Sequence, residues 1–276
     1  MKKLFATLVA AILFVAAVTP VSVKAQTLLI SPKPADQIVY VTIANGDLKL
    51  VQEPVKLKDV DGDGALTVND ALVLAHSAKY DGADAGYASA NSTWGLSLTK
   101  LWGIENGGSY GYYVNNASCM SLGDVVKDGD FITAFVYTDT VGFSDKYTFF
   151  DVNTVSAKAG QNITLTLTGA GYDANWNPVN LPVAGATITV DGKETTYKTD
   201  ANGKVTLSLS DANTHVISAV SSTETLVPAA CVANSSISVN AAKTEDGTTN
   251  LIVFLSFILI CGLIVVGFFV RKLYEK

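Results

Sequence analysis

The stretch that most narrows what this chain can become is Asp59-Val60-Asp61-Gly62-Asp63-Gly64-Ala65-Leu66-Thr67-Val68-Asn69-Asp70. Four carboxylates packed so closely repel one another unless something positive meets them. Their spacing gives them a common target. Asp59, Asp61 and Asp63 converge on one point, Gly64 permits a sharp turn, and Ala65 offers only its carbonyl. Leu66 points inward as an apolar anchor, Thr67 ligates directly or through water, and Asp70 closes the shell at the twelfth position. Oxygen-only ligands at this spacing suit one hard cation of high coordination number, which favours Ca²⁺ over Zn²⁺. The alternative is a solvated Asp/Gly turn. A random turn seldom matches every ligand position, so calcium is the expected cofactor.

The loop resembles the calcium loop of EF-hands, and more closely that of dockerins, in which Asp commonly takes the last position. Upstream, Ile38–Ala44 and Leu48–Lys58 alternate as strands joined at Asn45-Gly46, a strong hairpin signal. No helix enters the loop, and no second copy of it follows. Downstream, Val68–Tyr80 has helical character, with Ala71, Leu72, Ala75 and Ala78 on one stripe. Strand-like pieces follow at Gly95–Trp102, Gly108–Val114 and Gly129–Thr138. Hairpin, helix and further strands describe an α+β, β-grasp-like domain over 38–149, with the calcium loop 59–70 inside it.

Three phrases of this domain resemble the C-terminal β-domain of transcobalamin and its bacterial relatives. They are Ser109-Tyr110-Gly111-Tyr112-Tyr113-Val114-Asn115, Val126-Lys127-Asp128-Gly129-Asp130-Phe131-Ile132, and Thr67-Val68-Asn69-Asp70-Ala71-Leu72. The resemblance implies a cell-surface domain in a family that includes binders of corrinoids such as cobalamin. From the residues alone, aromatic side chains are dense here. Trp94, Trp102, Tyr110 and Tyr112 are the candidate ligand-binding set, for a planar ligand, a sugar or a peptide. Core packing is the competing assignment for the same residues.

Residues 150–230 read as short strands with regular turns, the pattern of a small all-β sandwich. Strands are expected at Asn162–Thr168, Ala186–Val190, Glu194–Lys198, Val205–Leu209 and Val216–Val220, and a turn-rich stretch at Gly169–Val183. Pro182–Val190 together with Thr199–Val205 resembles bacterial immunoglobulin-like and carboxypeptidase-regulatory-like modules.

The ends state an address. Residues 1–25 carry Lys2 and Lys3, an apolar run from Leu4 to Val18, and small residues before Gln26, the pattern of a cleaved signal peptide. Residues 26–37 are a linker and 231–250 a polar stalk. From Leu251 to Val270 stand 20 residues without a charge, enough for one transmembrane helix, and Arg271 and Lys272 place the tail 271–276 in the cytoplasm. A single-pass cell-membrane protein of bacterial type with its bulk outside is expected. Between positions 26 and 250 the charge is −11, which makes nucleic acid a poor partner.

Catalytic chemistry is hard to assemble. His76 and His215 are the only histidines, and no zinc spacing or glycine-rich phosphate loop occurs. Asp124, Asp128 and Asp130 read as turn residues rather than a glycosidase pair. Cys119 and Cys231 lie outside the span, and spacing gives no support to a bridge between them. The expectation is a non-enzymatic, calcium-binding surface protein that binds a ligand such as a corrinoid. The alternative is a structural or adhesive surface protein acting through protein–protein or glycan contacts.

Overall fold

A computed structural model describes residues 36–175 and 177–237. The expected signal peptide, the transmembrane run 251–270 and most of the linker and stalk lie outside these residues. Among the described residues no helix is long and apolar enough to cross a membrane. The described chain is mostly β.

The first domain begins with the expected hairpin, β1 (Ile38–Asn45) and β2 (Asp47–Lys56), turned at Gly46 in the left-handed region (φ +69°). Helix α1 (Val68–Lys79) follows, then a 3₁₀ turn (Ala83–Gly86) and the two-stranded hairpin β3 (Ala88–Ser92) and β4 (Gly95–Lys100). Next come β5 (Tyr110–Val114), β6 (Ala117–Ser118) and β7 (Phe131–Val136). The five-stranded sheet has the order β2-β1-β7-β5-β6, and its central pair β1 and β7 is parallel, Tyr40 opposite Phe131 and Asn45 opposite Val136.

Alternation along the central pair decides what each face covers. Val39, Val41 and Ile43 of β1, with Ile132, Ala134 and Val136 of β7, face one core, joined there by Val68, Ala71, Leu72 and Ala75 of α1. The opposite face turns Ala44 and Phe135 into a second cluster with Tyr147 and Val227. A Cβ on Gly111 would come within 2.2 Å of the Phe135 ring, so this glycine in the tyrosine-rich strand is the space that Phe135 fills.

Helix α1 starts where its cap says it must. Thr67 Oγ1 accepts the Asp70 N–H while the Asp70 carboxylate accepts the Thr67 N–H, a reciprocal capping box. The first helical N–H groups, otherwise without partners, donate to the carbonyls of Asp124 (from Val68) and Leu122 (from Asn69). Toward the other end lies His76, fully buried. Its Nδ1 faces the Leu72 carbonyl at 2.7 Å and its Nε2 accepts the Trp102 N–H at 3.1 Å, so the ring is neutral with the proton on Nδ1. Tyr80, Tyr87 and Trp102 pack around it.

The second domain is a sandwich of two sheets. Its strands are β8 (Lys146–Phe150), β9 (Thr154–Lys158), β10 (Asn162–Tyr172), β11 (Pro178–Pro182), β12 (Thr187–Val190) and β13 (Lys193–Lys198). They are followed by β14 (Lys204–Ser208), β15 (Thr214–Val220), β16 (Leu226–Val227) and β17 (Cys231–Ser236). One sheet runs β11-β10-β8-β16 with β14 also on β10; the other runs β13-β12-β15-β17-β9. Leu165 and Leu167, Ile188, Leu207, and Ile217 with Cys231 meet in the core between them.

Three expectations are corrected here. Gly169–Val183 is not simply turn-rich, because β10 continues to Tyr172 and pairs with β11, Tyr172 opposite Pro178. The stalk does not begin at position 231, since Cys231–Ser236 forms a strand between β15 and β9. Strand β8 starts at Lys146, before the expected boundary at 149/150. Among the described residues Cys119 and Cys231 are both free, and burial pushes their thiols up, to about 11 and about 12 respectively.

Aromatic stacking and one amide join the two domains. The rings of Tyr113 (β5) and Tyr147 (β8) lie 3.7 Å apart at 8°, and the Tyr147 hydroxyl donates to Asn116 Oδ1 at 2.9 Å. Gln52, held at φ +45° in a bulge of β2, donates its amide to the carbonyls of Asn153 (2.8 Å) and Ala230 (3.1 Å). Removing the ring in Tyr147→Ala is expected to cost about 3–5 kcal/mol and to split the urea transition in two; a single transition at the same midpoint contradicts this junction. Burial holds His76 below its ordinary pKa of 6.5, against the Leu72 carbonyl and Asp84, which act to raise it. The unfolded chain therefore takes up a proton that the folded chain refuses, and stability falls as pH drops below about 6.5. Urea midpoints at descending pH should show this loss in the parent and lack it in His76→Gln.

Candidate metal centre

Loop 59–67 is organised by its own backbone. Asp59 accepts N–H groups on both oxygens, from Gly62 at 2.6 Å and Gly64 at 3.0 Å. Both glycines are left-handed, at φ +77° and +87°. Asp63 accepts the Ala65 N–H at 2.8 Å. These bonds leave ligand oxygens of Asp59, Asp61 and Asp63 all within 4.8 Å of one another, on an exposed loop. The Gly64 and Gly62 N–H groups hold the Asp59 carboxyl below the usual carboxylate range, so its oxygens are charged at neutral pH.

The other expected ligands, Ala65, Thr67 and Asp70, are less exposed and lie toward the start of α1. Asp70 is fully buried; its Oδ1 accepts the Val60 N–H at 2.8 Å, and its Oδ2 accepts the Thr67 N–H at 2.8 Å and the Thr67 hydroxyl at 2.9 Å. Asp70 and Thr67 thus close the loop and cap α1, and Asp70 is not among the carboxylates that converge with Asp59, Asp61 and Asp63. Ala65 is half-buried and gives its N–H to the loop. Asn69, to which sequence reasoning gave no site role, is the link inward. Its amide donates to Asp61 Oδ2 at 3.1 Å, and its carbonyl oxygen accepts from the Tyr87 hydroxyl at 2.7 Å and from Ser89 Oγ at 3.2 Å. Burial pushes the Tyr87 hydroxyl well above its ordinary value, so it stays a donor. The available signal was Asn69's place beside Asp70 in the loop. Tyr87 and Ser89 carried none.

The aromatic candidates do not assemble into one platform. Trp94 stands 75% exposed at the β3–β4 turn. Trp102 is half-buried at φ +48°, its ring 5.2 Å from both His76 and Tyr80. Tyr110 and Tyr112 pack against the first core, and the Tyr110 hydroxyl lies 2.8 Å from the carbonyls of both Thr99 and Ile104. Among the described residues no ring contact joins Trp94 to the other three. The acidic cluster expected to make turns does so. Asp128 accepts the Ile38 N–H, Asp130 the Lys127 N–H and the Asn115 amide, and Asp124 the Met120 N–H.

What this arrangement can do chemically is hold a hard cation on three outward carboxylates, with the turn and the helix cap already set. No protein family matches the chain, and no curated protein matches it, so the transcobalamin-like and dockerin-like resemblances find no support there. One solved structure that aligns with it is the crystal structure of Dscam1 isoform 4.4, N-terminal four Ig domains, at 12% identity and a TM-score of 0.22. The alignment covers 74% of this chain and 45% of that one, so the chain spans less than half of it. That likeness is too slight to carry an argument about fold or function.

Proposed function

We propose that this chain is a structural or adhesive cell-surface protein whose first domain is braced by one calcium ion. The observation that carries the reading is the Asp59–Asp61–Asp63 cluster on a loop whose backbone is already ordered, anchored through Asn69 and Asp70 to the start of α1. Two β-rich domains joined by stacked rings suit display and contact better than turnover. The topology supports a β-grasp-like name for the first domain: hairpin, helix and further strands, with β1 and β7 parallel at the centre. The two packed sheets support an immunoglobulin-like name for the second. A corrinoid ligand is the weaker reading, because three of the four aromatics meant to meet it are packed into the first domain. Export, a single C-terminal span and extracellular bulk belong to this proposal on the sequence pattern of the two ends.

Extracellular calcium sites work at affinities of about 10⁻⁴–10⁻³ M. At a tenfold excess of ion over Kd, binding stabilises by about 1.4 kcal/mol, or roughly 3–6 °C for a unit of this size. Full-length protein should therefore melt a few degrees higher with millimolar Ca²⁺ than with chelator, and Asp59→Ala and Asp61→Ala should each erase the difference. Identical melts with calcium and with chelator in the parent would exclude the brace.

A further inference from the structure

On the side of β10 that faces the first domain, the aromatic packing of the junction runs out to the surface. Ala170 packs against the cluster of Phe135 and Tyr147, so alternation turns Tyr172 toward the same side. Burial pushes the Tyr113 and Tyr137 hydroxyls up, and the nearby Tyr172 adds to the rise in both. Tyr137 in turn carries Phe143, with ring centroids 5.4 Å apart and planes at 86°. Tyr172 is 64% exposed and Phe143 53%.

The backbone shows that Phe143 is placed at the surface by construction. It is held at φ +50°, a left-handed conformation that a bulky side chain adopts only at a cost. Its N–H donates to the Asp139 carbonyl at 3.1 Å, and the Asp139 carboxylate accepts the Val141 and Gly142 N–H groups and the Ser144 hydroxyl. The loop therefore fixes a half-exposed ring against Tyr137.

The charges beside these rings select the partner. Residues 137–145 and 170–178 contain Asp139, Asp145 and Asp173 and no lysine, arginine or histidine. Asp145 is buried and bonded to the Thr138 N–H and hydroxyl and to the Asp139 N–H. The Gly142 N–H and the Ser144 hydroxyl hold the Asp139 carboxyl down at about 2, and the Asn177 amide holds that of the exposed Asp173 below the usual range. Both are therefore charged at neutral pH. The cation of the adjoining strand β8, Lys146, points to the opposite face from Tyr147 and pairs with Glu224. Aromatic faces beside fixed carboxylates attract a cation and repel an anion. Ring geometry decides against a flat ligand as well. At 86° Tyr137 and Phe143 make two walls of a corner, whereas a sugar stacks on one open face.

We propose that this corner docks a basic segment of a partner protein, with an arginine guanidinium against the Tyr137, Phe143 and Tyr172 rings and with Asp139 and Asp173 supplying the opposite charge. The inference rests on the adhesive reading, for which it names the class of partner. It is independent of the calcium loop.

The test is fluorescence anisotropy of a labelled peptide of alternating glycine and arginine, titrated with the full-length protein in detergent, with calcium and with chelator. Saturable binding is expected, weaker as salt rises and absent when glutamate replaces arginine in the peptide. An acidic protein attracts basic peptides over its whole surface, so the deciding variants remove rings and leave charge alone. Phe143→Ala and Tyr172→Ala should each weaken binding about three- to tenfold at a nearly unchanged melting temperature, and Phe143→Trp should retain it. No saturable binding overturns the proposal. So does binding that both ring variants leave intact, which marks diffuse charge attraction, or capture of a neutral cello-oligosaccharide in place of the peptide. Absent peptide binding beside a calcium-dependent melt rejects the corner and leaves the braced surface protein; ring-dependent peptide binding without any calcium effect does the reverse.

Discussion

The parallel pairing of β1 with β7 is the constraint on which the remainder of this structure depends. It places the first strand of the domain beside the last, with most of both buried. One face needs a helix, and α1 supplies it with Ala71, Leu72 and Ala75. The other presents Phe135 and Ala44, which need a second apolar surface, and the sandwich supplies Tyr147 and Val227. A sheet covered twice cannot leave its neighbour loosely tethered, because separation would expose Phe135 and the Tyr113–Tyr147 stack to water. The junction is therefore part of the hydrophobic core, with Gln52 adding two directed bonds at its edge.

Residues that act locally were the most readable. Asn45-Gly46 announced its turn, Thr67 and Asp70 marked the helix start, and the alternation in Ile38–Ala44 marked a strand, because each rests on neighbours in sequence. Asp59, Asp61 and Asp63 were equally plain, since their convergence follows from backbone spacing within one loop. Asp70 was readable as a carboxylate but not as to its duty. The same residue satisfies a ligand pattern and a capping-box pattern, and its carboxylate accepts from the Thr67 N–H of the cap and from the Val60 N–H.

What stayed illegible depends on contacts distant in sequence. Tyr110, Tyr112 and Tyr113 alternate within one strand, yet nothing in them says which face a second domain will claim. Tyr113 stacks on a ring 34 positions later, while Tyr110 and Tyr112 settle against the first core. Strand β17 was hidden because Cys231–Ser236 is short and polar in its second half. It became a strand because β15 and β9 offer it partners on both edges. Asn69 was passed over for a similar reason, as Tyr87 and Ser89 reach it from outside the loop.

The positions of β1 and β17 carry a mechanical consequence. The first and last strands of the described chain are both interior strands, and each is parallel to a neighbour, β1 to β7 and β17 to β9. Tension entering at either terminus runs along a strand hydrogen-bonded on both sides. Such a load shears the whole ladder at once, whereas a terminal hairpin would peel one bond after another. A chain pulled at its two ends would thus resist along β1 and β17, each laddered on both edges, and the β3–β4 hairpin would lie outside the line of force.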